Sequence, residues 1–523
     1  MDTKALRQKV LDLAIRGKLV PQDPNDEPAS VLLERIRQQK QQMVKDGKLK
    51  AKDIKNDTII FVGEDNLHYE KFTDGSVKCI EDEIPFDLPD GWAWARLGAV
   101  AEAIGDGDHQ PPPQTSFGVP FLVISNVSGG RLSFENTRFV SKEYFSQLPE
   151  TRKPRNGDLL FTVTGSYGIP VLVDSDDKFC FQRHIAIVRP CIISNRYLYV
   201  ILGSSYVKSI CDAKATGTAQ KTVGLATLRE LLIPVAPYKE QMQIYAQTQD
   251  ALSIVDSVSS DKENLLNIIE STKAKILDLA IRGQLVPQDP ADEPASVLLD
   301  RIRAEKEELI RQGKIKRNKK ESVIFRGEDN SYYEKIGGKV ENISDEIPFE
   351  LPEGWAWCRG YSCFEGMEST KPQGDFFDYI DIDAIDNRLH CIKKTKNLPV
   401  SDAPSRASRA VKDGSVLFSL VRPYLENIAL VEEKHSNCIA STGFYVCNSN
   451  GVLLPEFMFF LMISGYVVNG LNQYMKGDNS PSISKDNIEN WLYPAPPIGE
   501  QQTICAKLKT VFTLVENVEK SLN

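Results

Sequence analysis

One stretch of this chain occurs twice, and that repeat sets the architecture. Lys9–Arg37 reads KVLDLAIRGKLVPQDPNDEPASVLLERIR, and Lys275–Arg303 reads KILDLAIRGQLVPQDPADEPASVLLDRIR. The two differ only at Val10/Ile276, Lys18/Gln284, Asn25/Ala291 and Glu34/Asp300. A period of about half the chain is far longer than a solenoid unit, so it predicts two copies of one plan.

Apolar residues at Leu6, Val10, Leu13 and Ala14 predict a helix over Ala5–Arg16. Gly17 ends it, and Pro21 and Pro24 follow. Ser30 is the expected N-cap of a second helix running to about Val44, with Glu34 near its first turn. Lys45, Lys48, Lys50, Lys52 and Lys55 come next. Arg311, Lys314, Lys316, Arg317, Lys319 and Lys320 match them in the second half. These basic runs read either as solvated linkers or as phosphate contacts.

The repeat then continues through shorter matches. Phe61–Asn66 (FVGEDN) matches Phe325–Asn330 (FRGEDN), and Asp82–Phe86 matches Asp345–Phe349, both DEIPF. Leu88–Trp94 (LPDGWAW) matches Leu351–Trp357 (LPEGWAW) and holds four of the five tryptophans. Aromatic side chains can stack on bases. Identical pairs at equivalent places instead predict structural anchors, since domains with different targets would not share reading residues.

Beyond each Trp-Ala-Trp the halves diverge. Ala99–Thr222 and Tyr361–Ser484 are β-branched and aromatic runs broken by Gly, Asn and Asp, which predicts mixed domains with strands. Gly157–Phe161 (GDLLF) aligns with Gly414–Phe418 (GSVLF), and Phe181–Val188 (FQRHIAIV) with Ile439–Val446 (IASTGFYV). The apolar framework is kept while polar residues within it change. Thr164-Gly165-Ser166 faces Val421-Arg422-Pro423, and Gln182-Arg183-His184 faces Ala440-Ser441-Thr442. Two recognition domains with different targets would look like this, and so would a drifting duplicate.

Each variable region exits through a proline-rich step and a Glu-Gln pair, Glu240-Gln241 and Glu500-Gln501. Tyr238–Arg282 contains neither proline nor glycine. Ala251, Val255, Val258, Leu265, Ile269, Ile276 and Leu279 recur there at coiled-coil-like spacing, interrupted at Lys262 and Thr272. One unbroken helix of this length spans roughly 65 Å, and Ser257–Ser260 is the place for a break. Aligned on the Glu-Gln pairs, Asn523 corresponds to Glu263; aligned on the opening repeat, Met1 corresponds to Asn267. The C-terminal and N-terminal helices should therefore rebuild the central helix together, with the termini adjacent and the two long helices antiparallel.

No phosphate loop of the GxxxxGK[ST] type occurs, which argues against ATP hydrolysis by this chain. The amino-methyltransferase loop is also missing, with Gln110–Pro113 and Ala495–Ile498 its nearest approaches. Five scattered histidines suggest no metal site or catalytic triad. His109 beside Asp106 and Asp108 reads as a polar loop in preference to a ligand set. The ten cysteines form no CxxC pair, and no secretory signal follows Met1, so buried reduced thiols in a cytoplasmic protein are expected. The apolar run Phe457–Val468 is too short for a bilayer and predicts a buried helix, with no membrane partner. A net charge of −9 is a caution against nucleic acid, though binding needs only a local basic surface.

The two LDLAIRG-x-LVPQDP-x-DEPAS segments, the two IPF-x-LP-x-GWAW segments, the GDLLFT…FQRHIA framework, Ile439–Phe444 and the Glu-Gln exits together resemble the specificity subunit of type I restriction-modification enzymes. The resemblance covers nearly the whole chain. It implies an α+β protein with two mixed α/β target recognition domains. Two long antiparallel helices, a coiled-coil-like spacer, would join them in a pseudo-twofold internal repeat. The expected divisions are 1–98 (helical repeat and linker), 99–237 (first recognition domain), 238–360 (long helix, second repeat and linker), 361–497 (second recognition domain) and 498–523 (closing helix).

By the same resemblance, each domain reads one half of a split, asymmetric double-stranded DNA site, and the helices fix the unread gap. The chain itself has no catalytic site, cofactor or metal. It recruits two modification subunits, which methylate adenine N6 with S-adenosylmethionine, and restriction subunits, which add ATP- and Mg-dependent translocation and cleavage. Base reading needs polar side chains presented to a groove, with phosphate contacts setting the register. The candidate readers are His109, Gln110, Thr164, Ser166, Tyr167, Gln182, Arg183 and His184 in the first domain. In the second they are Lys371, Gln373, Arg422, Tyr424, Asn427, Ser441 and Thr442. Two other readings fit the sequence: a non-enzymatic scaffold whose variable domains bind proteins, and a self-sufficient modification enzyme, which would need a cofactor loop not found here.

Overall fold

A computed structural model describes residues 2–108, 110, 112–218, 220–314 and 321–522. His109 and four of the basic residues, Lys316, Arg317, Lys319 and Lys320, lie outside the described residues, as do Met1 and Asn523. The chain divides into two compact units, Met1–Lys262 and Glu263–Asn523.

The first unit opens with helices Thr3–Ile15 and Ala29–Lys45. The buried stripe of the opening helix is Leu11, Ala14 and Ile15, while Leu6 is exposed. The second helix starts at Ala29 with Pro28 in the cap position, so Ser30 is not its N-cap. The reason is tertiary: the Ala29 N–H donates to the Gly91 carbonyl at 2.8 Å, which satisfies an end group a capping side chain would otherwise serve. A three-stranded antiparallel sheet follows, made of Ile59–Val62, His68–Lys71 and Val77–Cys79. Strand Ala93–Arg96 then pairs antiparallel with Leu232–Val235, which brackets the mixed domain between them. Inside lies a four-stranded sheet in the order Ala101–Asp106, Ile185–Pro190, Leu159–Thr162, Pro170–Leu172. Strands Cys180–Phe181, Val119–Leu122 and Arg138–Val140 form a second, smaller sheet. Helices Asn195–Leu202, Ser205–Lys214 and Leu225–Glu230 complete the domain.

The second unit repeats this order. Helix Ala295–Arg311 precedes the three-stranded sheet Ser322–Arg326, Tyr332–Ile336, Lys339–Asn342. Ala356–Arg359 pairs with Leu492–Ala495. Between them Val416–Ser419 lies between Ile428–Leu430 and Phe444–Cys447, and a second sheet runs Lys396–Pro399, Phe376–Ile380, Ile439–Ser441, Ala407–Ala410. The apolar run forms two buried helices instead of one, Pro455–Met462 and Gly465–Asn472, with Ser464 capping the second. Ile498–Leu522 is the closing helix.

Helix Tyr238–Ile281 belongs partly to each unit and is unbroken at Ser257–Ser260. Its buried positions Gln241, Ile244, Thr248, Leu252, Val255 and Ile269 keep a 3/4 spacing, whereas Leu265 falls outside the stripe and is exposed. Within the first unit the opening helix runs antiparallel to it, with Thr3 Oγ1 at 3.4 Å from Ser259 Oγ and Arg7 paired with Asp256. Within the second, Lys273 meets Glu519 of the closing helix at 2.9 Å. All ten cysteines are free thiols; eight are buried, and Cys79 and Cys391 are exposed.

The repeated motifs converge on one carboxylate in each unit. Glu240 accepts from Gln22 Nε2 at 3.2 Å and Trp92 Nε1 at 3.0 Å. Glu500 accepts from Gln288 Nε2 at 3.2 Å and Trp355 Nε1 at 2.8 Å. Each Gln also donates to the helix-ending glycine's carbonyl, Gln22 to Gly17 at 2.7 Å and Gln288 to Gly283 at 2.6 Å. Those glycines have φ of +63° and +68°, and a Cβ there would stand 2.4 Å from Pro89 Cγ or Pro352 Cγ. The tryptophans are therefore buried anchors, as predicted.

Replacing Glu240 by Ala strands the buried Trp92 Nε1–H and leaves a cavity, while the exposed Gln22 keeps its bonds to Gly17 O and Val20 O. It should lower unfolding free energy by about 2–4 kcal/mol, seen as a lower denaturation midpoint at constant slope, and Glu500→Ala should match it. Burial raises both carboxyls above their ordinary range against the opposing hydrogen bonds. Raised in the folded state, they contribute stability that is lost as pH climbs above the usual Glu value; Glu240→Gln should flatten that slope in denaturation curves measured from pH 4 to pH 8.

Candidate nucleic-acid interface

In the first unit four segments meet at one edge of the central sheet. Strand Ala101–Asp106 ends in Gly107, where a Cβ would lie 2.0 Å from the Phe181 carbonyl oxygen, so only glycine lets the two segments touch. The next residue, Asp108, is buried and holds Tyr144 Oη and Arg152 Nη1, both at 2.7 Å. Against it sits the turn Gln182-Arg183-His184, whose Arg183 N–H donates to the Asp108 carbonyl at 3.2 Å. The third segment follows strand Leu159–Thr162, with Val163 N–H donating to the His184 carbonyl at 2.9 Å. The fourth is the loop 216–222, closed by paired bonds between Thr216 and Thr222 at 3.0 and 2.8 Å and tied to Gly165 N–H through Lys221 O at 3.1 Å.

This geometry brings Gln110, Ser166 and Arg183 to the surface, all exposed. Gln182 and His184 are half-buried and hydrogen-bonded to each other. Tyr167 is held sideways, its hydroxyl donating to Asp212 at 2.8 Å beneath Lys208 Nζ, 4.3 Å from the ring centroid. Thr164 is buried, and its hydroxyl is shared with Thr222 at 3.1 Å, so it serves the loop closure and not the surface.

The second unit builds the same edge with other side chains. Loop 476–482 closes by paired Lys476 and Ser482 bonds, both 3.0 Å, and Arg422 N–H donates to Pro481 O at 2.7 Å. Arg422 has φ +49°, Glu426 has φ +55°, and together they bracket the short turn Pro423–Leu425, which exposes Tyr424. Two non-glycine residues in the left-handed region within five positions are costly and mark a shape held for use. The exposed Arg422 guanidinium donates to Asn479 O at 3.1 Å. Lys371 and Gln373 are exposed, Asn427 and Thr442 half-buried. Ser441 is fully buried, its hydroxyl accepting from Gly443 N–H at 3.2 Å. It is buried because Ile439–Ser441 is a strand covered on both faces, where neither direction of its side chains meets solvent.

Sequence reasoning missed Lys221 and the loops 216–222 and 476–482. The signal was present in turn residues around Gly217 (φ +110°) and Gly477 (φ +102°), which recur at equivalent positions. It also missed Arg406, exposed beside Thr442, whose N–H donates to Arg406 O at 2.8 Å. Among the described residues no cluster of three or more His, Cys, Asp or Glu side chains could hold a metal ion. No helix among them is long and apolar enough to cross a membrane.

A family model, the type I restriction modification DNA specificity domain, matches residues 89–269. Two Escherichia coli proteins match almost end to end. The specificity subunit of the type I restriction enzyme EcoAI is 27% identical over 97% of this chain and 88% of its own length. That of EcoEI is 26% identical over 99% and 90%. The chain is similar to type I restriction-modification specificity subunits over nearly its whole length. A solved chain from a study of complex assembly and conformational transition in the type I system has the same fold, at TM-score 0.53 and 17% identity over 84% of this chain and 94% of that chain. Mixed α/β domains connected by long helices, expected from the sequence, are what the structure shows.

The His184 ring sits below the ordinary imidazole range, because partial burial disfavours its charged form and the neighbouring Arg183 repels it. Arg183→Ala should move that titration upward part of the way, read from the ring proton shifts in an NMR pH series.

Proposed function

We propose that residues 99–237 and 361–497 are the two target recognition domains, each reading one half of a bipartite, asymmetric double-stranded DNA site. The observation that carries this is the shared edge with different tips. The same loop closures, at 216–222 and 476–482, support Gln182-Arg183-His184 in one unit and Ser441-Thr442-Gly443 in the other. The second turn sits one residue on from the sequence alignment, since Val163 N–H meets His184 O where Leu420 N–H meets Gly443 O. A duplicate kept only for packing gains nothing from left-handed Arg422 and Glu426 around an exposed tyrosine.

Arg183, Gln110, Ser166 and Lys221 are the first domain's reading and phosphate-contacting groups, with the Gln182–His184 pair behind them. Arg422, Tyr424, Lys371, Gln373, Thr442 and Arg406 serve in the second, with Asn427 at the margin. Arginine suits guanine and glutamine adenine, since each forms paired bonds to that base's major-groove edge. The net charge of −9 does not oppose this, because these groups form local cationic edges on an acidic chain. The unbroken helix Tyr238–Ile281 is the ruler that sets the unread gap. The chain does no chemistry itself. Two modification subunits supply S-adenosylmethionine-dependent adenine methylation, and restriction subunits supply ATP- and Mg-dependent cleavage.

The experiment is an adenine-methylation map of host DNA with the chain present, deleted and altered. A split motif with a fixed gap should vanish on deletion; its persistence would refute the reading. Exchanging 99–222 for a relative's segment should change one half-site only. Inserting two helical turns after Ser260 should lengthen the gap and leave both halves intact. Arg183→Ala should weaken binding about 5- to 150-fold, the 1–3 kcal/mol of one bidentate base contact. Thr164→Val and Ser441→Ala should keep the same motif.

A further inference from the structure

The small three-stranded sheet of each unit has a face that is largely exposed, with Tyr69, Val323 and Tyr333 half-buried on it. In the first unit, cross-strand register puts Ile59, Lys71 and Val77 in one row and Phe61, Tyr69 and Cys79 in the next. In the second, the rows are Val323, Lys335, Val340 and Phe325, Tyr333, Asn342. Directly paired residues share a face, so these six positions form one surface in each unit. Phe61 is 40% exposed and Phe325 42%; Val77 is 52% and Val340 50%. The aromatic pairs are superimposable, with Phe61–Tyr69 and Phe325–Tyr333 centroids both 5.9 Å apart at 26° and 24°.

Five of the six positions keep their chemistry between copies: Ile/Val, Phe/Phe, Tyr/Tyr, Lys/Lys and Val/Val. On the other face Ile60/Ile324 and the buried Glu70/Glu334 are kept for packing and for the ion pair, while its more exposed positions changed. Val62 stands opposite Arg326, His68 opposite Tyr332, and Lys78 opposite Glu341, a reversal of charge. Core packing gives no reason to keep exposed phenylalanine and valine twice while adjacent positions change sign, and exposed apolar patches of this kind mark protein contacts.

The platform is also rigid. On the opposite face Glu70 holds Arg96 at 2.7 Å, and Arg96 holds Glu83 at 2.7 Å. Glu334, Arg359 and Glu346 repeat this at 2.7 and 2.8 Å. Charge narrows the occupant. The aromatic end abuts the turn Gly63–Asn66, with exposed Glu64 and with Asp65 accepting from Tyr69 Oη at 2.7 Å. Glu328 and Asp329, the latter accepting from Tyr333 Oη at 2.9 Å, repeat it. An acidic rim repels nucleic acid phosphates and suits a protein with a basic rim.

We propose that these two faces dock two copies of one protein, each presenting an apolar pocket for the Phe–Tyr pair, a basic group toward the Glu-Asp turn and an acidic group toward Lys71 or Lys335. Resting on the function proposed above, that protein is the modification subunit. Each half of the chain thus carries its own socket, placed between the repeated helices and the reading domain. The reading loops differ because the DNA half-sites differ. The sockets agree because their occupant is the same.

The test is the subunit ratio of the full chain with purified modification subunit, by native mass spectrometry. The wild-type chain should hold two copies. Phe61→Glu and Phe325→Glu should each lose one, and the double variant should lose both. Val77→Lys with Val340→Lys tests the same face through exposed side chains outside every apolar core, so its loss of copies is not loss of fold. Two copies retained by both double variants overturns the proposal while leaving the DNA-reading function intact. Two copies retained together with weakened DNA binding makes the face a nucleic-acid contact and also overturns it. Loss of self-association alone, with the ratio unchanged, assigns the face to a second copy of this chain and overturns it too. A wild-type chain that binds no modification subunit instead removes the proposed function, and with it the partner's identity.

Discussion

A buried glutamate at the start of a long helix organises each half of this protein. Glu240 and Glu500 take hydrogen bonds from a glutamine in the opening repeat and a tryptophan in the strand that opens the variable domain. The next residue completes the joint. Gln241 receives Ser194 N–H at 3.0 Å and donates to Ala236 O at 2.8 Å, and Gln501 receives Leu454 N–H at 2.7 Å. Three segments distant in sequence are thereby locked at one point. Buried polar groups are costly unless fully partnered, so each residue in the network fixes the others, and the motifs repeat together or not at all.

That joint separates two kinds of surface. On its domain side, loops hang from a kept framework and differ between halves. On its small-sheet side, exposed residues of one face agree, as Phe61/Phe325 and Val77/Val340 do. The stacked Phe61–Tyr69 and Phe325–Tyr333 pairs match in distance and angle, whereas Ser166 and Arg422 occupy related edges with unrelated chemistry. The proposed function, reading two different half-sites while holding the same kind of partner on each side, calls for this division.

Much of this was legible in the sequence. The twofold plan, the anchoring role of Trp92, Trp94, Trp355 and Trp357, the mixed domains and the long helix follow from repeats and periodicity, which local chemistry imposes on any fold. Expectations failed where a distant segment supplied what a neighbour was expected to supply. Ser30 does not cap its helix because Gly91 O already takes the Ala29 N–H. Leu265 loses its place in the buried stripe because helical drift turns the neighbouring position inward instead.

The sequence by itself determined that the chain is two copies of one scaffold with variable inserts, and which motifs hold the scaffold together. It could not determine which polar residues of those inserts meet solvent. Thr164 and Ser441 carry the same hydroxyl chemistry as Ser166 and Thr442 and lie one or two residues away, yet both are buried and hydrogen-bonded inside. Cover on both faces of a strand and loop closure by segments some forty to sixty residues distant make that choice. Tertiary structure alone also placed Lys221 and Arg406 on the surface, the first in a loop closure and the second beside Thr442, and laid out the paired outer faces of the small sheets. Register between strands, which composition and periodicity do not encode, decides which side chains share a face.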